Sequence, residues 1–265
     1  MPASTDAATL RRQYADKTNL AARANIYAFQ QPQVPFSTWV LDHLPDAALA
    51  GRILDVGCGP GWYVTRAQEL GASAVGLDLS AGMVSEAARA CPTALGWLTG
   101  DATRLPISDG SFDAALALHM LYHVPDPAAA LAELSRVVRP GGTVLAVLNG
   151  RDHMDTYRSL MAEAAGSSEW LPWPSTRVNL SDANLFEGAF TSAVLDEVHA
   201  HIVLDHVDPL LAYARSAREF YEPLLGCSWE EYLRRFEQAV GRHLADHGSI
   251  EITTHSGVFV CTTHA

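Results

Sequence analysis

Paired cysteines, long apolar runs and positive charge are all scarce in this sequence. Its four cysteines are scattered, and no two of them form a Cys-x-x-Cys pair. The spacing indicates neither a disulfide framework nor a zinc site, and it favours a reducing cytoplasm. No run approaches the ~20 apolar residues that cross a bilayer, and residues 1–20 lack the apolar core of a signal peptide. We therefore expect a cytoplasmic protein with no membrane partner.

The shortage of positive charge bears on what the protein binds. Lysine and arginine number 18 against 30 aspartates and glutamates, which gives a formal net charge of −12. A surface of this sign repels nucleic-acid backbones and anionic membranes, so we expect a small-molecule substrate, neutral or cationic, and no nucleic acid. The length of 265 residues fits one sizeable α/β domain with a cap. Composition alone leaves a monomer and a homodimer open.

What the sequence does contain is a glycine-rich stretch directly after a β-favouring run. Residues 53–61 read ILDVGCGPG, which predicts a strand that breaks into a tight turn before a helix. Glycine is needed where the backbone takes a positive φ or where a ligand comes closer than a Cβ allows. We therefore predict a binding loop. A dinucleotide fingerprint needs a further glycine where this sequence has Trp62, which disfavours a nicotinamide cofactor.

Strand and helix patterns alternate regularly after this loop. Strands are predicted at 52–56, 72–77, 95–98, 112–118 and 143–148, with helices at 61–70, 80–89 and 126–138. Such alternation predicts a parallel, doubly wound α/β sheet that binds its ligands at the carboxyl ends of the strands.

The flanking segments lose this alternation. Further helices are predicted at 152–165, 181–189, 208–225 and 229–247, and further strands at 193–204 and 258–262. We divide the chain into an N-terminal helical cap at 1–46, a core at 47–150, and the rest of the sheet with a helical lid at 151–265. The last two parts belong to the same domain.

Four short motifs stand at the ends of four consecutive predicted strands. They are the loop 55–61, Gly76-Leu77-Asp78-Leu79-Ser80, Gly100-Asp101-Ala102, and the segment 112–126 that leads into 137–142. Together they resemble class I S-adenosylmethionine-dependent methyltransferases of the ubiquinone/menaquinone-biosynthesis-like small-molecule branch, across about residues 50–148. The resemblance implies S-adenosyl-L-methionine as cofactor. It also implies a seven-stranded Rossmann-like sheet, mostly parallel with an antiparallel last strand.

The motif residues suit that cofactor. The backbone at Gly57 and Gly59 leaves room for its methionine part, and Asp78 can accept hydrogen bonds from both ribose hydroxyls. Leu79 and Met83 can lie against the adenine ring. The cofactor-binding candidates are Tyr14, Arg23, Asp55, Gly57, Cys58, Gly59, Asp78, Leu79, Met83, Asp101, Ala102 and Leu118.

Some of these candidates come from the resemblance and have competing interpretations. The resemblance implies that Leu118 contacts the cofactor through its backbone and that Tyr14 and Arg23 bind its carboxylate, for which arginine offers a bidentate fork. Arg23 could equally be a surface residue of an amphipathic helix. Asp78 could be only a helix cap, and Met83 could be ordinary core packing.

Two histidines, His119 and His123, follow the fourth predicted strand. Methyl transfer is an in-line displacement, so alignment and exclusion of water can suffice, and a base is needed only for a protonated nucleophile. His119 is nearer the strand tip and is the first candidate for a general base; His123 is the second. A metal site with Asp126 is a weaker interpretation, and we predict no metal.

Recognition of the substrate falls to segments outside the motifs. The lid is rich in aromatic residues suited to a planar or apolar ligand, and Trp170 and Trp173 are the substrate-binding candidates. These rings could instead form the core of the lid. The sequence leaves His199 and His201, on one face of a predicted strand, to either the pocket or the surface.

The sequence therefore predicts an enzyme that transfers a methyl group from S-adenosylmethionine to an oxygen or nitrogen of a small molecule in secondary metabolism. Two alternatives remain. One uses the same fold and cofactor for a cyclisation or decarboxylation without methyl transfer, and the other is an NAD-dependent oxidoreductase.

Overall fold

A computed structural model describes residues 6–167 and 177–265 of the chain. The strands in these residues are β1 (Gln30–Gln31), β2 (Arg52–Val56), β3 (Ser73–Asp78), β4 (Gly96–Thr99), β5 (Phe112–Leu118), β6 (Val138–Asn149), β7 (Ser192–Leu204) and β8 (Ile250–Thr262). All eight belong to one sheet, in the order β1-β7-β8-β6-β5-β2-β3-β4.

Helices pack on both faces of this sheet and above its carboxyl edge. They are α1 (Ala7–Gln13), α2 (Thr18–Asn25), α3 (Phe36–Leu41), α4 (Asp46–Leu49), α5 (Trp62–Glu69), α6 (Ala81–Ala90), α7 (Pro127–Val137), α8 (Asp155–Ala165), α9 (Asp208–Arg215), α10 (Arg218–Tyr221) and α11 (Trp229–His247). Among the described helices, none has the length and apolar character needed to span a bilayer.

The sheet confirms the predicted fold class. Strands β2 to β6 pair in parallel, and β8 runs antiparallel between β6 and β7. The predicted count of seven strands is one too low, because Gln30 and Gln31 pair antiparallel with β7. Two residues are too few to show the alternation of apolar and polar residues that indicates a strand. They form a strand because the edge of β7 offers unpaired backbone groups to bond with.

Local chemistry accounts for the core elements. The α6 helix begins after Ser80, whose Oγ accepts a hydrogen bond from the amide of Met83 at 3.3 Å. Similarly, Asp126 caps α7 through the amide of Ala129 at 3.0 Å. Strand β5 is apolar because apolar clusters cover both of its faces. The strand ends are therefore held in a fixed relation to the helix starts that follow them.

Three predicted elements outside the core are wrong in extent. The helix at 181–189 is only a 3₁₀ turn, Ala183–Phe186, because the side chains of Asn179 and Asp182 bond nearby amides and compete with the helix. The helix at 208–225 breaks into α9, α10 and a 3₁₀ turn. Strand β8 starts at Ile250 instead of 258, since its first half is half exposed and its polar residues hide the pattern.

The N-terminal helices and the helices after β7 share one apolar cluster. Leu10 and Ile26 are buried in it together with Tyr213, Phe220 and other lid residues. This shared packing places a helical layer opposite the carboxyl ends of the central strands. The chain divisions at residues 46 and 150 stay predictions.

Candidate functional site

A cavity of about 590 Å³ lies between the carboxyl ends of the strands and the helical layer. Every predicted cofactor-binding residue lines this cavity, and so do both candidate catalytic histidines. Trp170 and Trp173 lie outside the described residues. The cavity thus brings together residues that are far apart in sequence, such as Tyr14 and His123, which are separated by 109 positions.

The glycine loop forms the floor of the cavity. Gly57 has a φ of +75°, and a Cβ built on it would lie 2.8 Å from the Cβ of Met120. The carbonyl oxygen of Leu77 accepts hydrogen bonds from the amides of Gly57 and Cys58 at 2.7 and 3.0 Å. The loop is therefore tied to β3 in a conformation that suits only glycine at position 57.

Two carboxylates stand beside this loop, Asp55 buried and Asp78 half-buried. Asp78 accepts hydrogen bonds from the amides of Gly59 and Ser80 at 2.9 and 2.8 Å. Asp55 is 2% exposed, and its Oδ2 has no hydrogen-bond partner in the described part of the chain. Burial raises the pKa of both groups, and burial together with the neighbouring Asp78 raises the pKa of Asp55 to about 8. A positively charged ligand group beside Asp55 would favour its ionised form.

A guanidinium group lines the same cavity. The Cζ of Arg23 lies 5.2 Å from the ring centroid of Tyr14. Its Nη2 is buried and makes no hydrogen bond to residues 6–167 or 177–265. The cavity therefore offers an unsatisfied carboxylate oxygen at Asp55, an unsatisfied guanidinium nitrogen at Arg23, and a glycine floor. This donor set fits an amino-acid group that carries both an ammonium and a carboxylate.

The two candidate histidines differ in their surroundings. His119 takes a left-handed backbone, with φ +55°, and its ring stacks on Phe36 with centroids 5.4 Å apart. Burial lowers the pKa of His119 to about 4, so its ring is neutral at neutral pH. His123 is instead held by the Tyr14 hydroxyl, 3.0 Å from its Nε2. Asp126, the third member of the metal interpretation, caps α7.

Sequence reasoning missed a group of polar residues at the other end of the cavity, which we call the inner wall. Its members are Tyr27, Gln30, Asn149, His153, Thr254 and Ser256. They pair with one another: the Tyr27 hydroxyl lies 3.2 Å from Nε2 of His153, and Gln30 donates to Thr254 at 2.8 Å. Burial lowers the pKa of His153 to about 3, so the inner wall presents neutral hydrogen-bonding groups.

One local signal could have pointed to part of the inner wall. Asn149 ends the fifth predicted strand, where ligands of doubly wound sheets bind. The other members carry no motif. His199 and His201 are both exposed: His199 stacks on His255, and His201 pairs with Glu251 at 3.1 Å. The structure thus assigns these two histidines to the surface.

The core of the chain matches known proteins. A family model described as a methyltransferase domain matches residues 54–146. A demethylmenaquinone methyltransferase from Beutenbergia cavernae is 43% identical over 94 residues, which are 36% of this chain and 39% of that protein. Residues 54–146 therefore form a methyltransferase domain of the S-adenosylmethionine-dependent kind. This confirms the predicted family and its cofactor, although the match spans well under half of that relative.

Solved structures extend the likeness of fold beyond this methyltransferase core. The [4+2]-cyclase SpnF superposes with a TM-score of 0.53 at 20% identity, over 86% of this chain and 81% of that one. Phosphoethanolamine N-methyltransferase 2 from Haemonchus contortus, in complex with S-adenosyl-L-methionine, gives 0.54 at 19%, over 86% and 52%. At these identities the comparison shows the fold alone.

Proposed function

We propose that this protein transfers the methyl group of S-adenosylmethionine to an oxygen or nitrogen atom of a small molecule of secondary metabolism. The observation that carries the proposal is the convergence of all four strand-end motifs and His119 on one cavity. The net charge of −12 supports a small molecule, since it disfavours nucleic acid as acceptor. The protein works in the cytoplasm.

The motif residues hold the cofactor. Asp78 accepts hydrogen bonds from the ribose hydroxyls, while Arg23 and Tyr14 bind the carboxylate of the methionine part. Asp55 faces its ammonium group, which explains why a buried carboxylate oxygen has no partner within the described chain. Leu79 and Met83 lie against the adenine, and Asp101 and Ala102 bind its polar edge.

The inner wall holds the acceptor molecule. Its hydroxyl, amide and imidazole groups are neutral at neutral pH and hydrogen-bond to one another. An acceptor with hydrogen-bonding groups can replace one partner in such a bond, and no charged group has to be buried. Phe36 and Tyr213 add apolar surface to the same cavity. We therefore expect a neutral acceptor with one or two hydroxyl or amine groups.

His119 receives the proton of the acceptor group. When bound, S-adenosylmethionine supplies a methyl group on a positively charged sulfur. As the new C–O bond forms, the attacking hydroxyl becomes strongly acidic, so a base with a pKa of about 4 is sufficient. An attacking neutral amine needs no base, because the methylated ammonium can leave the site with its proton. The helical layer contributes by excluding water and holding the two reactants in line.

A second candidate function is favoured by one comparison. The fold of the [4+2]-cyclase SpnF matches 86% of this chain. The same cavity could therefore hold the cofactor while a substrate cyclises without gaining a methyl group. Product mass separates the two functions, because methyl transfer adds one CH₂ and cyclisation does not.

Binding of S-adenosylhomocysteine, measured by isothermal titration calorimetry, tests the cofactor site. We expect one equivalent to bind, and Asp78→Ala to weaken binding at least roughly 100-fold because two hydrogen bonds to a charged group are lost. The matched control is Asp109→Ala, since Asp109 is exposed and pairs with Arg136 at the surface. No binding to the wild type, or equal binding to both variants, would sink the proposal.

A further inference from the structure

A cluster of two histidines and two carboxylates lies outside the cavity, where the loop after β6 meets β7 and β8. One ligand atom from each of Asp152, His199 and His255 lies within 4.8 Å of the others. The Asp152 Oδ1 is 2.6 Å from Nδ1 of His255, and the two imidazole rings stack with centroids 3.9 Å apart. These three side chains therefore converge on one point.

A fourth side chain orients the cluster. Oε2 of Glu197 lies 2.7 Å from Nε2 of His255, on the side of the ring away from Asp152. A carboxylate on the far nitrogen of a histidine keeps the proton there and leaves the other nitrogen as a lone-pair donor. This arrangement is usual behind metal-bound histidines. The lone pair of His255 Nδ1 then faces the carboxylate of Asp152. Two electron-pair donors repel each other at this distance, and a cation bound to both would stabilise the contact.

The cluster is separate from the proposed reaction. Val198 and Ser256 pair across β7 and β8, and both line the cavity. Side chains alternate along a strand, so their neighbours His199 and His255 point to the opposite face of the sheet. No step of the proposed methyl transfer uses that face.

We propose that Asp152, His199 and His255 bind a divalent transition-metal ion of the Zn²⁺ type. Two imidazole nitrogens and one carboxylate oxygen are a donor set that Zn²⁺ accepts, with water completing the tetrahedron. Ligand atoms of such an ion stand about 3.3 Å apart, given metal–ligand lengths of ~2.1 Å. Asp152 and His255 open slightly and His199 moves in, which side-chain rotation at a partly exposed site allows.

The bound ion links the cluster to the inner wall. His153 follows Asp152 in the chain, and its Nδ1 lies 3.1 Å from the backbone carbonyl of His255. An ion that joins Asp152 to His255 therefore fixes both segments that hold His153. We expect it to raise the thermal midpoint of unfolding, because it binds only the folded arrangement.

The test uses the full chain without a histidine tag, titrated with Zn²⁺. His243 and His247, half-buried and exposed respectively, form another imidazole pair with centroids 4.4 Å apart, so all proteins carry His243→Ala. We expect one equivalent of Zn²⁺, with binding weakened at least about 10-fold in His199→Ala and in Asp152→Asn. Zn²⁺ should raise the thermal midpoint of the parent and leave that of His199→Ala unchanged.

The matched control is His201→Ala. His201 is exposed on the same strand and the same face, two residues from His199, and pairs with Glu251 outside the cluster. It should keep the Zn²⁺ affinity of the parent. The proposal is overturned by no Zn²⁺ binding to the parent, by unchanged binding in both His199→Ala and Asp152→Asn, or by an equal loss in His201→Ala. Circular dichroism confirms that the variants fold, which we expect for an exposed side chain.

Discussion

The two ends of the cavity are both buried, yet burial acts on them in opposite senses. At the glycine loop it raises the pKa of the carboxyl groups of Asp55 and Asp78, and at the inner wall it lowers the pKa of His153. In both cases the charged form is disfavoured by loss of water. The difference is that Asp55 retains an unsatisfied oxygen in the described structure, whereas the inner-wall groups pair with one another. We therefore expect a charged ligand group at the glycine loop and a neutral ligand at the inner wall.

The two ends also differ in how the chain builds them. Most of the cofactor end comes from consecutive strand-to-helix turns between residues 55 and 102, and the N-terminal helical region adds Tyr14 and Arg23. The inner wall comes from three segments far apart in sequence, and His153 contacts His255 across 102 positions. A change at one end should therefore affect one ligand and spare the other.

The substitution His119→Asn should have the largest effect, and it should change kcat without changing the affinity for the cofactor. Asparagine tolerates the left-handed backbone at this position better than most residues, so the fold is retained. Loss of the base should lower kcat about 10²- to 10⁴-fold, and S-adenosylhomocysteine should bind as tightly as before. Steady-state kinetics and calorimetry on the same preparation measure both.

The control for His119→Asn is His201→Asn, at an exposed position away from the cavity. It should leave kcat unchanged. An unchanged kcat in His119→Asn as well would show that alignment and exclusion of water are enough, and the role of His119 as base would be withdrawn.

Tyr27→Phe should affect the acceptor alone. It removes the hydroxyl that lies 3.2 Å from His153 and leaves the ring in place. The loss of one hydrogen bond predicts an acceptor KM raised about 5-fold, with the affinity for S-adenosylhomocysteine unchanged. Tyr232→Phe is the matched control, because the Tyr232 hydroxyl is buried away from the cavity and is unbonded in the described structure. A loss of cofactor affinity in Tyr27→Phe would contradict the division of the cavity into two ends.

Asp55→Asn should change how stability depends on pH. In the folded protein Asp55 keeps its proton up to about pH 8, whereas in the unfolded chain it loses it near its ordinary value of 3.8. The folded state therefore binds more protons between these values, and the wild type loses stability there as pH rises. Asparagine cannot ionise, so the variant lacks this loss of stability. The difference in thermal midpoint, variant minus wild type, should therefore increase by about 4 °C or more from pH 5 to pH 8.

The difference between the two proteins isolates Asp55. His119 and His153 have lowered pKa values, and they make stability fall as pH drops below about 6.5, but they do so equally in both proteins. Asp109→Asn, at an exposed acid, controls for the change of side chain. A constant difference between wild type and Asp55→Asn across this range would mean that Asp55 is already ionised in the free protein.

The residues proposed to hold the cofactor can be predicted largely from local sequence. Asp55, Asp78 and Asp101 each lie within two residues of the carboxyl end of a strand. Parallel strands bring such positions to one edge, so local spacing is sufficient to place them together. The family and the sheet follow from the same alternation. The resemblance supplied Tyr14 and Arg23, which lie in the N-terminal helical region, and the structure places them on the same cavity.

The inner wall and the surface cluster, in contrast, could not be predicted without the tertiary structure. Tyr27, His153 and Thr254 meet because β8 enters the sheet antiparallel between β6 and β7, and because the edge of β7 recruits Gln30. The same pairing places His199 against His255. The register between distant strands depends on packing across the whole sheet, and a one-residue shift would turn each of these side chains to the other face. No local pattern of residues carries that information.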